Sequence, residues 1–146
     1  MYRHVLFATD FSPEAEHAEA RAVALARQHS AQLSVIHVID YYPASQLDGG
    51  LSVVPELEQR MRESARTRMA DCAKRIPLDL HNAHICNGSA KHEITGYAEA
   101  VNADLIVVGS HGRHGLGLLL GSTANGVLHH AKCDVLAVRV RAQSVL

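Results

Sequence analysis

Apolar residues along this chain fall into two patterns, and the two alternate. Short, nearly continuous apolar runs occur at His4–Ala8 (HVLFA), Leu33–Ile39 (LSVIHVI), Asp104–Val108 (DLIVV) and Val135–Val140 (VLAVRV). Such runs, rich in β-branched residues, read as strands buried on both faces. Leu78–Cys86 reads as a further strand. Its polar interruptions at Asp79, His81 and Asn82 place it at a sheet edge. Between the runs, apolar positions recur every three or four residues. The sets are Ala15, Ala18, Ala22, Leu25, Ala26; Leu57, Met61, Ala65, Met69, Cys72; Ile94, Tyr97, Ala98, Val101; and Ala124, Val127, Leu128, Ala131. That spacing is one face of a helix, so each set is expected to point inward.

Punctuation supports these boundaries. Ser12-Pro13-Glu14 predicts a helix start, with Ser12 as N-cap and Pro13 at the first helical position. The second helix is expected over Val54–Lys74, with alternating Glu and Arg on a solvated outer face and Pro77 as its stop. Ser89 is the expected N-cap of the third helix, and the last helix is expected over Ser122–Ala131. Asp40–Ser52, with its tyrosines, Pro43, Gly49 and Gly50, is the longest irregular stretch. The resulting order is β-α-β-α-β-α-β-α-β. Strict alternation predicts an α/β fold with a parallel sheet, right-handed crossovers and helices on both faces. The 146 residues suit a single domain over 1–146.

Composition narrows the function. The chain is 47% hydrophobic and 20% charged, enough for a real core. A formal net charge of −1 gives no electrostatic case for nucleic acid or anionic lipid as a partner. No apolar stretch approaches the 18 or so residues of a membrane span, and the first residues do not read as a signal peptide. Cys72, Cys86 and Cys133 are odd in number and unclustered, as expected of a reducing cytoplasm.

Ligands of open parallel sheets bind beyond the carboxyl ends of the strands, where strand order reverses. If the order is 3-2-1-4-5, that point lies between the first and fourth strands. Polar and glycine residues follow both: Thr9-Asp10-Phe11-Ser12 and GSHGRHGLGLLLGST from Gly109 to Thr123. Glycines let a backbone approach a phosphate closely, and Gly121-Ser122-Thr123 opens the last helix, whose free N–H groups attract anions. Arg113 and His114 add positive charge. A phosphate cradle is the functional reading; a flexible crossover is the plain one. Neither the GxxxxGK[ST] nor the GxGxxG template fits, because no lysine precedes Ser122 and the first strand leads into TDFSPE.

The opening HVLFATDFS, the HVID that ends the second strand and the final GSHGRHG…LLGSTANGVLHHAKCDVLAVRV together resemble the universal stress protein (UspA) family over the whole chain. The resemblance implies an open five-stranded parallel sheet of order 3-2-1-4-5, Rossmann-like and of the adenine nucleotide alpha hydrolase-like kind. It also implies a homodimer and a cytoplasmic role in stress survival. One branch of the family binds ATP or AMP through G-x2-G-x9-G-[ST]. Gly109 and Gly112 match its first glycines, and Gly121-Ser122 its last pair. Ala8, Thr9, Asp10 and Ser12 match the first-strand end near adenine and ribose, and Val38 the position whose backbone meets the base. Val108, Ser110, His111, Arg113 and Thr123 fall alongside. Eight residues, not nine, separate Gly112 from Gly121, a spacing similar to the branch around UspA itself, whose best-known members are not regarded as nucleotide binders.

Other residues bound the chemistry. Asp10 suits a ribose hydroxyl or a magnesium ion, or a strand-end carboxylate satisfied by backbone. No acid–base or nucleophile pair stands out, so binding without turnover is expected. Slow ATP hydrolysis or autophosphorylation at Ser110, Ser122 or Thr123 is the weakest rival; an interaction protein without nucleotide is the stronger one. His81/His84, His111/His114 and His129-His130 lack the convergence a metal needs. Cys86 and Cys133 are redox candidates only if exposed and acidic. Val135–Val140, an apolar edge strand, invites edge-to-edge dimerisation.

Overall fold

The computed structural model describes residues 1–40, 55–110 and 120–140. Five strands form one parallel sheet: β1 (His4–Ala8), β2 (Gln32–Ile39), β3 (Ala83–Asn87), β4 (Leu105–Gly109) and β5 (Asp134–Val138). Their order is β3-β2-β1-β4-β5, as the family resemblance implied. Between them run α1 (Ala15–His29), α2 (Pro55–Arg75), α3 (Ala90–Ala100) and α4 (Ser122–His130).

The central strands earn their place by composition. Val5, Leu6, Phe7, Ile36, Ile106 and Val107 are all at most 1% exposed. Each such side chain contributes roughly 1.5–3 kcal/mol by leaving water. Alternate residues feed two cores, because side chains of a strand point to opposite faces. Val5, Phe7, Val35 and Val107 pack with α1 and with Met69 of α2. Leu6, Ile36, Ile106 and Val108 pack with Ile94 and Ala98 of α3 and with Ala124 and Val127 of α4. The alanines buried along α1 at 15, 18, 22 and 26 bring that helix close to the sheet. Helices α1 and α2 therefore cover one face, α3 and α4 the other.

At the amino ends of the strands lies a buried polar cluster. His4 Nδ1 is 3.0 Å from the Val101 carbonyl and its Nε2 2.7 Å from Ser34 Oγ. A carbonyl only accepts, so Nδ1 carries the proton; in the neutral ring Nε2 accepts from the Ser34 hydroxyl. Beside it, the Asp104 carboxylate accepts from the backbone amides of Arg3 and His4.

Several expectations shift at element ends. The chain from Leu78 does not enter the sheet at once: Asp79 accepts from the His81 amide and starts a 3-10 turn at Leu80–Asn82, so β3 begins at Ala83. The expected start at Ser12 with Pro13 as the first helical residue shifts: α1 begins at Ala15 with Glu14 at its N-cap, and Ser12 supports the turn before it. Its hydroxyl accepts from the Ala15 amide, and bonds spanning three residues lead into α1 at Ala15. Leu57 and Leu128 hold the right helical phase yet are 50% and 45% exposed. β5 ends at Val138, not Val140. Among the described residues, no helix is long and apolar enough to cross a membrane.

Candidate functional site

A cavity of about 950 Å³ opens at the carboxyl ends of the strands. Its floor comes from Ala8 and Thr9 of β1, Ile36 and Val38 of β2, and Val108 and Gly109 of β4. The switch point between β1 and β4 thus coincides with this concavity, as expected for an open parallel sheet.

The turn after β1 is held by its own side chains. Thr9 donates its amide to the Ile36 carbonyl, extending the sheet by one bond, and its Oγ1 accepts from the Phe11 amide. Asp10 Oδ1 accepts from both the amide and the hydroxyl of Ser12. Phe11 carries a positive φ of 60°. That left-handed conformation is costly for a bulky residue, by roughly 1–3 kcal/mol. Its ring lies against His37, centroids 4.3 Å apart, and His37 Nδ1 sits 2.7 Å from the Thr9 carbonyl. Asp10 and Phe11 line the cavity, whereas Ser12 is buried behind them and holds Asp10 in place.

The other wall is built at the end of β4. Ser110 is 2% exposed and donates its amide to the Val138 carbonyl. Its own carbonyl accepts from the Gly121 amide at 2.6 Å, so the chain returns at Gly121 to the point where β4 ended. Gly121 is the N-cap of α4 with an extended backbone, and among the described residues no side chain caps the helix. Gly121, Ser122 and Thr123 line the cavity at this uncapped N-terminus, where amide hydrogens and the helix dipole favour an anion. His111, Gly112 and Arg113 lie outside the described residues.

The cavity thus gathers Ala8, Thr9, Asp10, Val38, Val108, Gly109, Gly121, Ser122 and Thr123 from the expected set. Sequence reasoning missed a third wall. Arg60, Met61, Ser64, Ala65 and Arg68 of α2 line the same space. Their alternating Glu/Arg surroundings had the pattern of a solvated face, and only the packing of α2 on β2 shows which turns overhang the cleft. His37 and Asp40, next to Val38 and Ile39 in the HVID run, were also missed.

All three thiols are shifted toward the protonated form. Burial pushes Cys72 up to about 12, with the Glu19 carboxylate adding to the effect. Burial, then Glu93, raises Cys86 to about 11. Cys133 is raised too, mainly by burial. Among the described residues, no group of three or more His, Cys, Asp or Glu side chains is placed to hold a metal ion. His84 instead stacks on Tyr97, with rings 4.3 Å apart and nearly parallel.

With this geometry in place, the comparisons with known proteins are consistent. Residues 1–139 match the profile of the Universal stress protein family. Universal stress protein A homolog 1 of Coxiella burnetii is 41% identical over 140 residues, covering 94% of this chain and 96% of that protein. The solved structure of the protein MJ0577 superposes with a TM-score of 0.82 at 28% identity, over 98% of this chain and 99% of that one. A universal stress protein solved in complex with cAMP aligns with a TM-score of 0.58 at 26% identity, over 94% and 97% of the two chains.

Proposed function

The chain belongs to the universal stress protein family, and on that premise we propose that it is a cytoplasmic stress-response regulator that binds an adenine nucleotide, ATP or AMP. The phosphates would lie at Gly109 and Gly121–Thr123, and the base over the end of β2 at Val38. Binding, with or without magnesium at Asp10, would act by changing partner choice rather than by turnover. One observation carries this reading. Segments far apart in sequence, Thr9-Asp10 and Gly121-Ser122-Thr123, line one cavity at the sheet's switch point, with an uncapped helix N-terminus in its wall. The cAMP complex of a structural relative supports an adenine nucleotide as the class of ligand.

Equilibrium dialysis with labelled ATP and AMP, with and without magnesium, tests it. Saturable binding is expected, and Gly121→Val should abolish it by placing a branched side chain where the cradle backbone must approach the phosphate. No binding at millimolar ligand would leave an interaction protein without nucleotide as the better account.

The same reading includes a homodimer formed through β5. This strand lies at the sheet edge, and Val135, Leu136 and Ala137 are only half-buried. An apolar strand with an unpaired edge is a ready template for a second copy.

A further inference from the structure

Helix α2 presents to the cleft a stripe that a simple nucleotide would leave unused. Arg60, Ser64 and Arg68 recur every four residues, and all three line the cavity. At 1.5 Å of rise per residue, the two arginine Cα atoms stand about 12 Å apart with Ser64 midway. On the same helix Arg75 closes onto Glu19 at 2.9 Å. Arg60 and Arg68 make neither an ion pair nor a side-chain hydrogen bond with any described residue. Even Glu56, one turn before Arg60 and in the favourable order for a pair, is not engaged.

Position decides what these cations can meet. The N-terminus of α4 reaches the cavity from the α3/α4 face of the sheet, and α2 reaches it from the opposite face. A mononucleotide with its phosphates at α4 and its base over the end of β2 turns its uncharged nucleoside end toward α2, which packs on β2. Asp10 and Asp40 also line the cavity from the strand ends, and neither is paired with these arginines. Two guanidinium groups, which only donate, flanking a hydroxyl that can also donate form a donor-rich surface suited to phosphate oxygens. We infer that Arg60, Ser64 and Arg68 are a second anion-binding wall, which selects an adenine nucleotide carrying an additional phosphate on its ribose, away from the 5′ chain. This inference rests on the nucleotide reading of the cleft.

Titration of the full chain with AMP and with adenosine 3′,5′-bisphosphate tests it. The bisphosphate should bind about tenfold more tightly or better, the scale of one or two hydrogen bonds to a charged group. In the double variant Arg60→Gln/Arg68→Gln the ratio of the two affinities should fall close to one. Arg62→Gln/Arg66→Gln removes the same charge from exposed positions of the same helix that do not line the cavity, and should keep the ratio. All four arginines are exposed, and thermal melts of both variants verify that the fold is retained. Equal affinities in the unmodified protein overturn the inference, as does a ratio that survives Arg60→Gln/Arg68→Gln or collapses equally in Arg62→Gln/Arg66→Gln. If AMP binds without preference, this inference alone falls. If neither ligand binds, the nucleotide reading falls with it.

Discussion

The imidazole of His37 braces Phe11: the two rings are 4.3 Å apart, and His37 Nδ1 sits 2.7 Å from the carbonyl of Thr9, two residues before Phe11. The left-handed backbone at Phe11 is thus clamped from below by one residue of β2. His37→Phe keeps a ring under Phe11 but removes the hydrogen bond, and should cost about 1 kcal/mol. His37→Ala removes both and should cost about 0.5–1.5 kcal/mol more. Urea unfolding reads the order of the two. Both variants should also weaken nucleotide binding, since Thr9 and Asp10 lose their support. Two variants as stable as the parent would show that the turn holds itself.

Two helical glycines should respond in opposite directions. A Cβ on Gly126 of α4 would stand 2.8 Å from Cβ and Cδ of Lys91 on α3. The Lys91 Cβ is fixed to its backbone, so the helices must separate. Overpacking of this kind costs about 1–3 kcal/mol and outweighs the roughly 1 kcal/mol that alanine gains in a helix. Gly126→Ala should lower Tm. A Cβ on Gly96 of α3 would meet nothing within 4 Å, so Gly96→Ala should raise Tm by the helix-propensity gain alone.

Acid should act at the opposite end of the sheet from the cleft. Burial alone would raise the Asp104 carboxyl, but the amides of His4 and Arg3 outweigh it and hold the group below its ordinary 3.8. A depressed folded value stabilises the fold fully above the unfolded pKa, and this contribution is lost as pH falls through the lower folded one. Asp104→Asn should therefore lose about 1 kcal/mol at neutral pH, a modest figure because the carboxylate is partly solvated. Its stability should fall less steeply than the parent's below about pH 4. Parallel stability–pH curves for the two proteins would contradict this.

The cysteines should be slow. A thiol at about 11, as for Cys86, has roughly a hundredfold less thiolate at pH 8 than one at the ordinary 9.0. Native protein should therefore react with a disulfide reagent far more slowly than protein unfolded in guanidinium, which exposes all three thiols. Glu93→Gln removes one cause of the Cys86 shift and should speed its modification. Fast labelling of native Cys86 would revive a redox role.

The proposed dimerisation through β5 has a selective probe. The Val138 carbonyl accepts from Ser110, so the polar groups of Val138 face inward. Those of its neighbour Ala137 then face the outer edge, because alternate residues of a strand bond to opposite sides. Ala137→Pro removes an outward N–H without breaking a bond to β4. Sedimentation should show a dimer for the parent and a monomer for the variant. A dimer that persists places the contact elsewhere.

Legibility in the sequence followed how local each cause was. β1 and β4 could be read because strands buried on both faces are apolar throughout, as Val5–Phe7 and Leu105–Val108 are. The cleft could be located because glycines and hydroxyls cluster after those two strands. Leu57 and Leu128 show the limit of periodicity, which gives a helix its phase but not how far the core extends along it. The start of β3 was missed because a single bond from the His81 amide to Asp79 competes with sheet pairing. Arg60 and Arg68 were unreadable for a tertiary reason: an arginine over a cleft and an arginine in water have the same neighbours in sequence.

The register of β1 has a consequence for synthesis. Val5 to Ala8 pair on one side with Leu33 to Ile36, and on the other with Leu105 to Val108. The ribosome supplies the first neighbour within some thirty residues, but the second only after about a hundred. Until then the growing chain carries an apolar strand with one side open, and loop closure over that length makes the pairing slow. The cleft needs both neighbours, so a chain that stops short of β4 does not form it. A nascent chain acquires this cleft only once β4 has been made.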